Sequence, residues 1–147
     1  MRTTQTLAIA FSLLVTGVSA FAADSTGQVI KRQAPKGITA SFYACVDKAG
    51  SDMTAQGACL SAEKKVQDAR LNAIYKALTA KLTGKAKDNL LIAERAWLEY
   101  HSKNSEFETA LYGEESVADL QVTQNEVFRL CDRADALDKY LKIAGDQ

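Results

Sequence analysis

The chain has 147 residues, 47% of them hydrophobic and 24% charged, with 18 basic residues balanced by 18 acidic ones and a single proline. That apolar fraction at zero net charge excludes a disordered chain, and the absence of a basic excess argues against a nucleic-acid partner. One histidine and three cysteines cannot build a His-rich or four-Cys metal site, so neither a metal nor another cofactor is expected.

In chain order, Arg2 precedes an apolar run from Leu7 to Val18 and then small residues. Ala20-Phe21-Ala22 fits the small-x-small rule of signal peptidase, so residues 1–22 read as a secretory signal cut after Ala22. The run is short for a membrane span, and no later segment is apolar enough to make one. No cysteine lies near the cut to carry a lipid, so a periplasmic or secreted protein without a membrane anchor is expected. Losing Arg2 takes one from the 18 basic residues against 18 acidic ones and leaves a formal charge of −1. In an oxidising compartment Cys45, Cys59 and Cys131 allow one disulfide and leave one thiol over.

Residues 23–38 are polar, hold Pro35 and Gly37 and show no apolar period, which reads as a flexible leader to a domain spanning 39–145. Thr39 to Lys48 makes a short helix with Phe42 and Cys45 on one face, ended by Gly50 and followed by an N-cap at Ser51 or Asp52. From Thr54 to Thr83 the residues Ala55, Cys59, Ala62, Val66, Ala69, Ala73 and Ala77 recur at steps of three and four, widened by Leu71, Ile74, Leu78 and Leu82. Gly84 stands where a C-cap would stop this long amphipathic helix. A second stripe, Leu90, Ala93, Trp97, Tyr100, Asn104, Phe107 and Leu111, runs to Gly113. A third, Val117, Leu120, Gln124, Val127, Cys131, Ala134, Leu137, Leu141 and Ala144, starts near Ser116. With no period-two window and short connections, the fold expected is all-α: an up-and-down bundle of three long helices plus a short N-terminal one.

Several of these elements together resemble the periplasmic domain named after the LprI lysozyme inhibitor. Cys45 and Cys59 match its early cysteine pair, Asp68–Tyr75 reads DARLNAIY against its acidic residue and Leu-Asn-x-x-Tyr element, and Ala93–Trp97 reads AERAW against Ala-Gln-x-x-Trp. Cys131 matches its late cysteine, and the likeness extends over roughly Ser41 to Leu141. The resemblance implies binding to a lysozyme. The chain departs from the pattern after the tryptophan, where Tyr100-His101-Ser102 and Asn104-Ser105 stand in place of Tyr-Arg-Asp and a cysteine. On that comparison Cys59 is the orphan whose partner position is Asn104 or Ser105.

Helix arithmetic bears on the disulfide. If the rods are straight, Cys59 and Cys131 differ in height by on the order of 15 Å, too far for a bond that needs Cα atoms within about 7 Å. Cys45–Cys131 is therefore favoured, with Cys45–Cys59 as the alternative.

Trp97 and Tyr75 fall at helical spacing beside apolar positions and read as core, and Asn72 as an interhelical hydrogen-bonding residue; all three are assigned structural roles. His101 has no neighbouring nucleophile, there is no phosphate loop and no evident cleft between paired carboxylates, so no catalytic residue is assigned and the protein is not expected to be an enzyme. Between Asn104 and Phe128 there is no Lys or Arg, while Glu106, Glu108, Glu114, Glu115, Asp119 and Glu126 crowd one end of the bundle. Acids favour a helix N-terminus, but Glu106 and Glu108 lie near the opposite end of their helix. Glu106, Glu108, Glu114, Glu115 and Asp119 thus form the candidate surface for a lysozyme or other basic periplasmic protein. A non-inhibitory structural or stress-related role in the envelope is the alternative. No feature of the sequence fixes an oligomeric state.

Overall fold

A computed structural model describes residues 24–113 and 115–145. The expectation of an all-α bundle is met: α1 (Thr26–Lys31), α2 (Ala40–Ala49), α3 (Met53–Lys81), α4 (Gly84–Tyr112) and α5 (Ser116–Gly145) account for the regular structure. Each long helix runs about 44 Å at 1.5 Å per residue. Glu114, residues 146–147 and residues 1–23, which include the segment expected to be a signal peptide, lie outside the described residues.

Local chemistry sets most of the boundaries. The Thr39 hydroxyl accepts from the Phe42 amide to cap α2, and the Asp52 carboxylate accepts from the Ala55 amide to cap α3. Gly50 and Gly113, at φ 58° and 88°, turn the chain at the ends of α2 and α4 in a conformation that side chains with a Cβ disfavour. Gly84 differs from the C-cap expected of it: α3 closes on Leu82 in an extended conformation, and Gly84 is the first residue of α4.

The main packing axis joins α3 to α5 through two apolar clusters. Near the α2–α3 turn, Phe42, Val46, Cys59, Leu60, Val127 and Cys131 are buried with Ile38. Further along, Leu71, Leu78, Leu130, Ala134 and Leu137 close the core, with Tyr75, Trp97 and Leu82 partly buried around them. The stripe expected on α5 is therefore the buried one from Val127 to Leu137, although Val117 at its start is 64% exposed.

On α3 the alanine stripe is not the inner face. Ala62, Val66, Ala69, Ala73 and Ala77 are exposed or half-buried, and the helix buries Cys59, Leu60, Glu63, Gln67, Leu71 and Leu78. Alanine contributes little area and so orients a helix weakly, whereas Glu63 and Gln67 have partners that hold them inside. The Glu63 carboxylate accepts from the Thr39 amide at 3.0 Å, the Thr39 hydroxyl at 2.5 Å and the Gln67 amide nitrogen at 2.7 Å. Gln67 also donates to the Gly37 carbonyl at 2.8 Å.

Those bonds reach into the segment expected to be an unstructured leader. It carries α1, capped by Ser25, with Gly27 buried where its amide donates to the Asp47 carboxylate at 2.6 Å. Ile30 and Ala34 pack on the first cluster, and Gly37 lies against Arg70, Cys131 and Asp135. Helical structure is present some dozen residues ahead of the domain start that the polar composition implied, because the contacts that hold it come from α2, α3 and α5.

The disulfide is Cys45–Cys59, with Cα atoms 5.8 Å apart, which corrects the Cys45–Cys131 pairing and the expectation that Cys59 is the orphan. α2 and α3 form a hairpin about Asp52, and the two cysteines stand equally far along its arms, so they meet at one height. Cys131 is the free, buried thiol. Burial pushes its pKa up to about 11, the nearby Asp135 carboxylate adding to the rise, so it stays a protonated, inert thiol at neutral pH.

Candidate functional site

Two surfaces gather the residues singled out in the sequence. The first is a groove of about 310 Å³ between α3 and α4. Leu71 and Leu130 form its floor, Tyr75, Leu91, Trp97 and Leu98 its apolar walls, and Lys64, Asp68, Asn72, Glu94, Arg95 and His101 its polar lining. The sequence offered no evident cleft; one arises because α4 packs on α5 and stands off α3.

α4 is held to α5 by charge. Glu94, the one buried residue of α4 among those described, accepts from Arg133 Nε at 3.0 Å and Nη2 at 2.7 Å. One turn back along α5, Arg129 donates to Glu108 at 2.7 Å and to the Ser105 hydroxyl at 3.0 Å. Ser105 thus satisfies an arginine at one of the two positions suggested as a missing cysteine. The other, Asn104, donates to the Tyr100 carbonyl of its own helix.

Trp97 meets both Arg133 of α5 and His101 of its own helix. The Arg133 guanidinium sits 5.8 Å from its ring centre, and the His101 ring stacks on it at 5.1 Å. Burial holds the His101 pKa below its ordinary value, helped by the Arg129 charge, so the ring is neutral at pH 7. Trp97 and Tyr75 are partly buried against the second cluster and also line the groove, whereas Asn72 is exposed and donates to the Asp68 carbonyl one turn behind it, with no bond to another helix among the described residues.

The carboxylates lining this groove are Asp68 and Glu94, and Glu94 is bound to Arg133. Among the described residues no three His, Cys, Asp or Glu side chains converge on a metal position.

The second surface is the acidic end of the bundle, and folding neutralises part of it. Glu108 is drawn inward to Arg129, Glu126 pairs with Lys64 from α3, and Glu106 pairs with Lys103 at 2.8 Å. Glu115 and Asp119, at the start of α5, remain exposed and without an ion pair among the described residues. Around them Tyr112 and Val117 are also exposed. Of the five acids expected to act together, Glu106, Glu115 and Asp119 face solvent, Glu108 does not, and Glu114 is not described.

The residues that sequence reading missed are Glu94, Arg129 and Arg133. Glu94, Trp97, His101 and Glu108 do repeat at steps of three, four and seven, and Arg129 and Arg133 at four. A charged stripe with matching spacing on the next helix was the available signal.

The family model for the lysozyme inhibitor LprI matches residues 45–137, from the first disulfide cysteine to the last fully buried leucine of α5. The chain belongs to the LprI lysozyme inhibitor family. The match covers α3 and α4 entirely together with most of α5, so the LprI region contains both the groove and the acidic end. No curated protein and no solved structure matches the chain significantly. No helix among the described residues is long and apolar enough to cross a membrane.

Proposed function

We propose that this LprI-family protein is exported, trimmed after Ala22, and binds a basic, lysozyme-like enzyme as an inhibitor, without catalysis of its own. The family match is the observation that carries the reading. The surface we assign to the partner is the α4–α5 end, which exposes the acids Glu106, Glu115 and Asp119, with Glu114 between them in sequence, and the apolar Tyr112 and Val117. Exposed apolar side chains beside charged ones suit protein recognition, and the acidic groups draw a basic partner by long-range attraction.

The test is lysis of a cell-wall suspension by a c-type lysozyme in the presence of the purified protein. Inhibition at micromolar protein is expected. The double variant Glu115→Lys, Asp119→Lys should associate roughly tenfold more slowly at low salt and show a flatter salt dependence, because exposed charges are screened over about 8 Å at physiological ionic strength. Full lytic activity at micromolar protein overturns the inhibitor reading, and unchanged association of the variant removes the acidic end from it.

A further inference from the structure

Twelve large apolar side chains are exposed among the described residues, and half of them, Ile92, Leu98, Tyr100, Phe107, Leu111 and Tyr112, lie on α4. Among the described residues, α4 buries only the charged Glu94. Its apolar stripe thus faces away from the bundle: Tyr100, Phe107 and Leu111 are 55%, 61% and 60% exposed, and Ala93 and Ala96 continue the line. Apolar area concentrated in this way marks an interaction surface.

We propose that this face of α4 pairs antiparallel with the same face of a second copy of the chain. The argument is self-complementarity about a two-fold axis, which a symmetric dimer requires. A register centred on Tyr100 sets Tyr100 against its own copy, the small Ala93 against the large Phe107, and Ala96 against Asn104. In an antiparallel pair like flanks meet, so Glu99 of one chain comes beside Lys103 of the other, and the converse pair forms across the axis. Lys103 is available for this: its present bond to Glu106 is an i,i+3 pair between groups 66% and 60% exposed, a weak interaction on a solvated surface.

The area is sufficient for a modest dimer. Pairing the 29 residues of α4 hides on the order of 600 Å² per protomer, given a helix of about 44 Å, at the lower edge of specific interfaces, which bury roughly 1,200–2,000 Å² in total. Self-association in the micromolar range follows. The α5 start, with Glu115 and Asp119, lies off the paired stripe, so the dimer leaves those two acids free, while Glu106 and Tyr112 of the surface proposed above stand on the helix it pairs.

The experiment is sedimentation of the exported protein, its N-terminus read by mass spectrometry, from about 1 to about 100 μM, a range that brackets micromolar affinity. A rise from monomer to twice the monomer mass is expected. Phe107→Glu should weaken association at least tenfold. Glu99→Lys alone should weaken it, and adding Lys103→Glu should restore it. Tyr100→Cys should give a covalent dimer on mild oxidation, whereas Asn72→Cys, on exposed α3, should not. Circular dichroism and the intact Cys45–Cys59 bond report folding of each variant. A monomer at every concentration overturns the proposal. So does a dimer that ignores Phe107→Glu and leaves the Tyr100→Cys variant uncrosslinked, since that dimer lies elsewhere. A monomer that loses lysozyme binding on Phe107→Glu would give the face to the target enzyme and overturn the proposal equally.

Discussion

Replacing Glu94 by glutamine is the sharpest probe of how α4 is held. The carboxylate takes two bonds from Arg133, and the two side chains are 11% and 16% exposed. Removing one partner of a fully buried pair costs about 3–5 kcal/mol, chiefly because the other charge is left uncompensated. The residual exposure and the hydrogen bond that glutamine can still accept reduce this to about 2–3 kcal/mol. With a urea dependence of roughly 2 kcal/mol per molar, the unfolding midpoint should fall by about 1–1.5 M.

Trp97 makes the measurement direct, since it is the only tryptophan of the chain and its ring meets Arg133. Its fluorescence should report the loss at the α4–α5 seam in the same titration. The double variant Glu94→Leu, Arg133→Leu should return to within about 1 kcal/mol of the parent, because a packed apolar pair avoids the desolvation that the ion pair incurs. A midpoint shift below about 0.3 M for Glu94→Gln, or a double variant no more stable than the single, would refute the account of α4 as a helix anchored by buried charge.

Three further outcomes are expected. Non-reducing peptide mapping should find Cys45 linked to Cys59, with Cys131 alkylated only after denaturation; losing the bond, which closes a 14-residue separation, should cost about 3 kcal/mol. Gly37→Ala should destabilise by about 1–3 kcal/mol in a thermal melt, because the new methyl would collide with Arg70 Nη1 and stand 2.8 Å from Cys131 Sγ; no loss would mean that residues 34–38 do not dock as described. His101 titrates below its ordinary value when folded, so the unfolded chain binds its proton first; stability should be complete above about pH 6.5, decline as pH falls through the window below it, and level off under the folded pKa, and His101→Gln should flatten that decline in urea titrations.

What could be read in the sequence depended on what each residue type can signal alone. Caps and breakers act locally, so Gly50, Gly113 and the cap offered at Ser51 or Asp52 marked real helix limits, and the helix read from Thr39 starts one residue later with Thr39 as its cap. The α5 stripe was legible because Val127, Cys131, Ala134 and Leu137 are apolar and all buried. On α3 the inner face holds Glu63 and Gln67, and what makes those positions tolerable is the Gly37–Thr39 backbone, a partner that no window of α3 contains. The same dependence hid the leader's docking and the disulfide, whose geometry is a property of the hairpin and not of either helix.

α4 failed for a different reason, and the reason bears on function. Its apolar pattern keeps a seven-residue repeat, while a straight helix drifts by about 20° per heptad, so the stripe precesses by about 60° over three heptads. Leu90 and Trp97 at its start turn partly inward, and Phe107 and Leu111 at its end turn out. The polar set Glu94, His101 and Glu108 is this same repeat shifted by one residue from Ala93, Tyr100 and Phe107, a step of about 100° around the axis. One bundle cannot receive both faces at once. The Arg129 and Arg133 bonds fix which face goes in. Tyr100 and Phe107 are thereby held outward on a helix that cannot rotate to bury them without stranding two arginines.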